Sequence, residues 1–372
     1  MSSVYGEKIK VSLFGQSHSE AIGGTIDGLP SGIKIDLEQL QNFLQRRAAR
    51  GAISTQRQEP DVPEFLSGLK DGVTCGAPIC AIIRNTNVRK GDYNNLLNVP
   101  RPSHADYAVR CKFGENADFS GGGHLSGRLT AALCIAGGIC IQYLESLGIT
   151  VGAHIYSIAG IKDTPFNEVD ITSEDLQKIT AKAFPLINDT IEETIKARIM
   201  EAKADGDSVG GIIEFAAVGL AAGIGSPHFG GLENRISAAV FGVPAVKGIE
   251  FGNGFACAEL TGWENNDAFY YDENLNVRTK TNNSGGINGG MSNGMPLIGR
   301  VAIKPTPSIA KQQDSVNLST MENVQLIING RHDPCVVHRA VPCIEAAVAI
   351  AITDAIQSDH RNDSNRLRSI LI

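Results

Sequence analysis

Of the eight cysteines in this 372-residue chain, no two are spaced as a CxxC pair. That removes the usual sequence sign of a redox or zinc motif and makes a reducing cytoplasm the simplest home. The opening stretch, MSSVYGEKIKVSLFG, has no continuous apolar core of the kind a secretory signal needs. The longest apolar run, residues 129–144, falls short of the ~18 residues that span a bilayer, and it is interrupted by Gly137, Gly138 and Gln142. It therefore reads as a core helix, and no membrane segment is expected. Positive charge is also missing, because the net charge of −7 leaves no basic field for nucleic acid or an anionic membrane. Any anionic ligand must be met by a local cluster of cations.

Several familiar sites are absent as well. Neither GxGxxG nor GK[ST] occurs in a glycine loop, which removes the Rossmann and Walker readings. There is no HxH or HExxH, so a metal phosphohydrolase lacks its compact ligand spacing. No low-complexity linker divides the chain, and residues 1–372 read as a single catalytic domain.

What is present is glycine, 41 residues of 372, well above the usual ~7% and a sign of many tight loops. Strands are expected at KIKVSLF, TCGAPICAIIRN, VGGIIEFAAVGL, GRVAIKP and VQLIING. Helices are expected after Asp36, with Leu37, Leu40 and Leu44 on one face; near 129–145; after a Thr190–Glu193 capping box, with Ile191, Ile195 and Ile199 on one face; and over the final apolar segment, 340–356. Strands and helices interleave irregularly, without repeated βαβ units, which favours an α+β fold over a doubly wound sheet. A faint echo between Gly23-Gly24-x-Ile26 and Gly210-Gly211-x-Ile213 carries little weight.

Three polar residues in loops attract attention, and each also has a structural reading. His18 lies in GQSHS, a loop of small residues. His104 lies in RPSHADY between Arg101, Pro102 and Asp106, which stiffen the loop and supply charge. Asp333 precedes Pro334 at the mouth of the last helix, where it would serve equally as a helix cap. The Arg46-Arg47 pair ending the first helix suits either the helix dipole or an anion. SGGGHLSGR (120–128) opens a helix with glycines that let backbone N–H groups approach a phosphate or flavin edge, and NNSGGINGG is a second loop of that kind.

Together, FGQSHSEAIGG, TQRQEPD, IRNTNVRKGDY, RPSHADY, SGGGHLSGRLTA, GDSVGG, AVKGIEFGNGF, NNSGGINGGMSNG, KPTPSI and GRHDPCVVHRAVP resemble the motifs of the chorismate synthase family, in the family's order. The resemblance implies a lyase that converts 5-enolpyruvylshikimate 3-phosphate to chorismate and phosphate by 1,4-anti elimination. It requires reduced FMN with no net redox change, in the last step of the shikimate pathway. It further implies a β-α-β sandwich with helices packed between antiparallel sheets, and a homotetramer built as a dimer of dimers. With no additional segment for a flavin reductase, the chain would take reduced flavin from a separate reductase, NADPH serving only as an indirect reductant.

By the same resemblance, His18 would protonate the leaving phosphate, His104 would sit at the flavin N1 edge, and Asp333 would assist removal of the C6 proton through flavin N5. Substrate would be held by Ser17, Arg47, Arg101, Ser126, Arg128 and Arg331. The flavin would be met by Arg47, His124, Leu125, Ser126, Ala245, Gly289, Lys304, Pro305, Thr306, Pro307, Ser308 and Arg331. His124 and Leu125 stand where many members carry Arg-Ser, and Arg50 falls in a loop about one residue shorter than the family's. A catalytically silent flavin- or phosphate-binding protein on the same fold is the alternative.

Overall fold

The computed structural model describes residues 3–49, 51, 53–54, 59–86, 98–328 and 332–359. Two five-stranded antiparallel sheets frame it. The first runs, in spatial order, Val4–Tyr5, Lys10–Gly15, Ala21–Asp27, Ile79–Arg84 and Glu64–Ser67. The second runs Val246–Phe251, Leu297–Ile303, Gly211–Val218, Thr150–Ile158 and Ile161–Lys162. In Ile79–Arg84 the alternate residues Ile79, Ala81 and Ile83 are buried, the two-residue period of a half-covered sheet. Gly211–Val218 differs, being buried continuously from Ile213 to Val218. The final helix covers one face of this second sheet, and Leu176 and Ile179 of the Ser173–Thr180 helix join Ala216, Val218 and Ile298 in a small cluster of their own.

Between the sheets lies a layer of helices. Thr130–Ser146 packs on the first sheet, Val337–Ser358 on the second, and each packs on the other. A Cβ at Gly137 would stand 2.3 Å from the Cα of Ala346, so the two helices touch backbone to backbone at that point. Gly138 admits Leu40 of the Leu37–Arg47 helix in the same way, its added Cβ falling 2.5 Å from Leu40 Cδ1. Two helices, Gly127–Ser146 and Val337–Ser358, are long and apolar enough to cross a membrane by length and composition, and 78% and 94% of their apolar windows are buried inside the fold. Packing on both sides accounts for that apolarity. The α+β sandwich expected from the sequence is the architecture observed.

Local expectations fare unevenly. Asp36 caps its helix, accepting from Glu38 N at 2.9 Å and Gln39 N at 3.0 Å, and Leu40 and Leu44 are buried. Leu37, at the first helical position, stays exposed at the helix end. The Thr190–Glu193 box does not form. Asn188 takes the capping role, its Oδ1 accepting both Thr190 N and Thr190 Oγ1, so the threonine hydroxyl is spent as a donor. A 3-10 turn then leads into Glu192–Ala204, where Ile195 and Ile199 are buried. Gly23 and Gly24 fall within the central strand of the first sheet, whereas of the second pair only Gly211 belongs to the central strand of its sheet. Gly23 lies mid-strand against the Phe14 ring, whereas Gly211 opens its strand against the Ser157 carbonyl.

Candidate functional site

The loops at one end of the sandwich converge on a cavity of about 1010 Å³. That lies at the upper end of the ~300–1,000 Å³ of small-molecule sites, enough for a cofactor and a substrate together. Ser17, His18, Arg47, Arg101, His104, Arg128 and Asp333 all line it. The three residues singled out as chemically active therefore share one space, although 315 positions separate His18 from Asp333 in the chain.

His18 follows the Lys10–Gly15 strand and lies over the glycine loop. Gly121 has a φ of +65°, and a Cβ there would stand 2.5 Å from His18 Cε1, so the loop is glycine because the imidazole needs that space. Ser17 Oγ donates to the Ser120 carbonyl at 2.9 Å and lies 2.8 Å from His18 Nδ1. With the hydroxyl hydrogen directed to Ser120, the serine oxygen accepts from Nδ1–H, and His18 is fixed in that tautomer.

His104 is held differently. Asp106 accepts Arg101 N and Nε through Oδ2 at 3.0 and 2.8 Å, and Arg101 Nη2 through Oδ1 at 2.8 Å. The same Oδ1 accepts His104 Nδ1–H at 2.5 Å. Burial opposes the charge on Asp106, but the hydrogen bonds from Arg101 and His104 prevail and hold its carboxyl far below the usual range. Nδ1 is thus committed, and Nε2 is the ring nitrogen left for a ligand.

Asp333 is not the helix cap, a position held by Val336. Its Oδ2 accepts Arg339 Nη1 at 2.6 Å, while Arg339 Nε donates to the Arg47 carbonyl at 3.1 Å. One arginine on the first turn of the last helix thereby ties the aspartate to the end of the first helix. His332, beside it, is held below its ordinary pKa by burial and then by the Arg101 charge. His338 is structural: partly buried, bonded to Ser54 Oγ at 2.9 Å, and pushed down to about 4 by burial.

Arg47 and Arg128 meet at Asp61, a fully buried carboxylate that pairs with both. Burial works against this charge, and the two guanidiniums more than compensate, holding Asp61 below the ordinary carboxylate range. Arg46, next to Arg47, points the other way, forming a bidentate pair with buried Glu345. Asp106 does what the sequence expected of it beside His104, supplying charge and orienting the ring, whereas Asp61 and Arg339 were not singled out from sequence, although each belongs to a quoted motif, TQRQEPD and GRHDPCVVHRAVP. Cys343 was missed too. It lines the cavity, and its thiol is lowered to about 7 by the Cys134 thiol 3.9 Å away, against burial and with help from Arg47.

The expected cofactor residues divide. Leu125, Ser126, Ala245, Lys304, Thr306, Pro307 and Ser308 line the cavity. Lys304 Nζ donates to the Ser103 carbonyl at 2.6 Å, joining the loop that carries His104 to the end of the Leu297–Ile303 strand. Thr306 Oγ1 is buried without a partner, a polar atom that a ribityl or phosphate group would satisfy. Cavity size, a lysine, two hydroxyls and an apolar wall of Leu133, Val243 and Pro307 fit a flavin mononucleotide. His124 also lines the cavity, but both its nitrogens are engaged, with Ser3 Oγ at 2.7 Å and the Gly15 carbonyl at 2.8 Å, so only its ring surface faces a ligand. Pro305 and Gly289 are not on the cavity wall, Gly289 lying in the turn between Ile287–Asn288 and Met291–Ser292. Arg331 and Arg50 lie outside the described residues.

Residues 9–357 match the family model described as chorismate synthase. A chorismate synthase from Lancefieldella parvula is 48% identical over 369 residues, covering 96% of this chain and 97% of its own length. One from Methanocaldococcus jannaschii is 40% identical over 366 residues, covering 95% and 96%. A chorismate synthase crystal structure superposes with a TM-score of 0.73 over 94% of this chain and 92% of its own, at 25% identity.

Proposed function

This chain belongs to the chorismate synthase family, and from that premise we propose that it removes phosphate from 5-enolpyruvylshikimate 3-phosphate by 1,4-anti elimination, giving chorismate at the end of the shikimate pathway. The observation that carries the reading is the convergence of His18, His104 and Asp333 on one cavity that is also lined by Arg47, Arg101 and Arg128.

His18, its Nδ1–H held by Ser17, uses Nε2 to deliver a proton to the leaving phosphate oxygen. Asp333, oriented by Arg339, receives the proton lost from C6, so one proton enters and one leaves. Arg47, Arg101 and Arg128 bind the phosphate and carboxylates, with Ser17, Ser126 and the Arg331 of the same motif as further contacts. Ala245, Lys304, Thr306, Pro307 and Ser308 hold the flavin, and His104 meets its edge through Nε2. Reduced FMN, when bound, supplies electron density that weakens the C3–O bond and is recovered as C6 loses hydrogen, with no net redox change.

Exposed Phe255, Trp263, Phe269, Tyr271 and Leu275 leave apolar surface for contact with further copies, and the family resemblance implies that the assembly is a homotetramer of two dimers. The eight cysteines, none in a disulfide, suit a reducing cytoplasm. A separate reductase supplies reduced flavin.

The test is an anaerobic assay with 5-enolpyruvylshikimate 3-phosphate and chemically reduced FMN, followed by chorismate absorbance, with NADPH plus oxidised FMN in parallel. Product only with pre-reduced flavin is the expected result. Product in both arms would overturn the need for a separate reductase. Flavin binding without product would leave a silent binding protein.

A further inference from the structure

The cations of the cavity are not equally neutralised. Arg101 pairs with Asp106, which also accepts His104, and Arg339 pairs with Asp333, whereas Arg47 and Arg128 share the single carboxylate of Asp61. Glu59, the remaining carboxylate on the lining, has Oε2 occupied by Thr86 N at 3.0 Å and Thr86 Oγ1 at 2.8 Å. Arg47 and Arg128 thus carry two positive charges against the one carboxylate that both touch, with Glu59 adding a weaker attraction to Arg128. Both side chains are more than nine-tenths buried, with residue exposures of 5% and 7%. Each retains one buried N–H group without a partner among the described residues, Arg47 Nε and Arg128 Nη2. A buried guanidinium donor left unpaired in a cavity wall is costly unless an anion completes it.

The surroundings indicate which anion. Arg128 Nε donates to Asn85 Oδ1 at 3.0 Å, and Asn85 Nδ2 donates in turn to the carbonyls of Gln16 at 3.1 Å and Ser19 at 2.8 Å. Those carbonyls flank Ser17 and His18. The Arg128 guanidinium is thus tied through one amide to the loop of the proposed acid. On the other side, Arg47 donates to Thr130 Oγ1 at 3.3 Å. Asp61 itself adopts a φ of +48°, a left-handed conformation that a non-glycine residue enters at some cost.

We propose that Asp61 is a positioning residue: its one carboxylate sets the Arg47 and Arg128 guanidiniums side by side, so that the phosphate ester of the substrate binds across both, on Arg47 Nε and Arg128 Nη2, within reach of His18. This rests on the proposed reaction for the identity of the substrate, but the anion pocket itself can be tested without turnover. Asp61 does not touch the phosphate. It fixes the donors that do, and it keeps the pair from repelling when the pocket is empty.

Asp61→Asn is the discriminating variant, because asparagine tolerates the left-handed backbone and has the same shape, yet presents an N–H₂ group to one guanidinium. Inorganic phosphate is titrated calorimetrically into the wild-type holoenzyme and D61N, and kcat is measured per phosphate site titrated. The expected result is kcat lowered roughly 100-fold, as misplacement of reacting groups commonly costs, with KM and the phosphate Kd changing less than about fivefold because the pair's net charge rises as its geometry loosens. A purely structural role would reduce the number of sites and leave kcat per site unchanged, which overturns the proposal.

Should D61N fail to fold, Arg128→Lys keeps the charge and removes the planar fork. Phosphate Kd is then expected to weaken about tenfold, and an unchanged Kd overturns the proposal. If the wild type binds phosphate but makes no chorismate, the R128K titration alone decides, with the same two outcomes. In that case the reaction assignment fails while the pocket stands or falls separately.

Discussion

Two histidines sit among carboxylates and an arginine in this molecule, and only one of them is at a site. His104 gives Nδ1 to Asp106, which Arg101 clamps, and keeps Nε2 at the cavity. His154, on the Thr150–Ile158 strand, gives Nδ1 to Asp163 at 3.1 Å and Nε2 to Glu214 at 3.0 Å, with no exposed surface. Glu214 lies directly across from His154 on one neighbouring strand and from Arg300 on the other, and Arg300 lies across from Glu250 on the next. Charge alternates along this row of the second sheet, each member neutralised by its cross-strand partner. The ingredients of the two clusters are nearly the same. What separates them is unspent valence next to open space: His104 has one nitrogen and a cavity, and His154 has neither.

Removing each histidine should break the two clusters in different currencies. The larger effect is expected at His154, because His154→Ala leaves Asp163 and Glu214 buried without the cation between them. Loss of one member of a buried ionic group costs about 3–5 kcal/mol, read as the shift of a denaturant-unfolding curve, while kcat of the folded fraction stays near wild type. His104→Ala should do the reverse, lowering kcat by about 100-fold or more with little shift in that curve. If H104A lost mainly stability, or H154A mainly turnover, the distinction between spent and unspent valence would be wrong.

The same distinction explains what was legible in the sequence. The central strands, the Asp36 cap and the apolar helices follow from period and capping chemistry, which are local, and the α+β class followed from their irregular order. His18, His104 and Asp333 were recognisable because they lie in compact loop motifs. Asp61 was not, since its role depends on two arginines 14 and 67 positions away, and an aspartate after a proline reads as an ordinary turn residue. His124 is a second case, on the cavity wall but with its nitrogens committed elsewhere. Its glycine-rich loop suggests a ligand contact, yet its ring nitrogens close on Ser3 and Gly15, partners more than 100 positions away. Neither case could be read without knowing which donors and acceptors the fold brings to each side chain.

The pH dependence gives the smallest effect and the sharpest test of the charge ladder. Burial pushes His154 toward its neutral form, but the hydrogen bonds to Asp163 and Glu214 prevail and raise its pKa above the ordinary value of 6.5. A histidine raised in the folded state contributes its full stability below ~6.5, and that contribution fades as pH rises through the folded value. Glu214 and Asp163 are held low despite burial, by hydrogen bonds with His154 first among the causes, so their contribution is present above ~4 and is lost as pH falls through their folded values. The stability advantage of the wild type over H154A should therefore be greatest between pH ~4 and ~6.5. It should shrink on the alkaline side with a slope of at most ~1.4 kcal/mol per pH unit. Parallel stability profiles from pH 5 to 9 would mean that folding leaves the pKa of His154 unchanged, and the alternation of charge across the sheet would have to be abandoned as its source of stability.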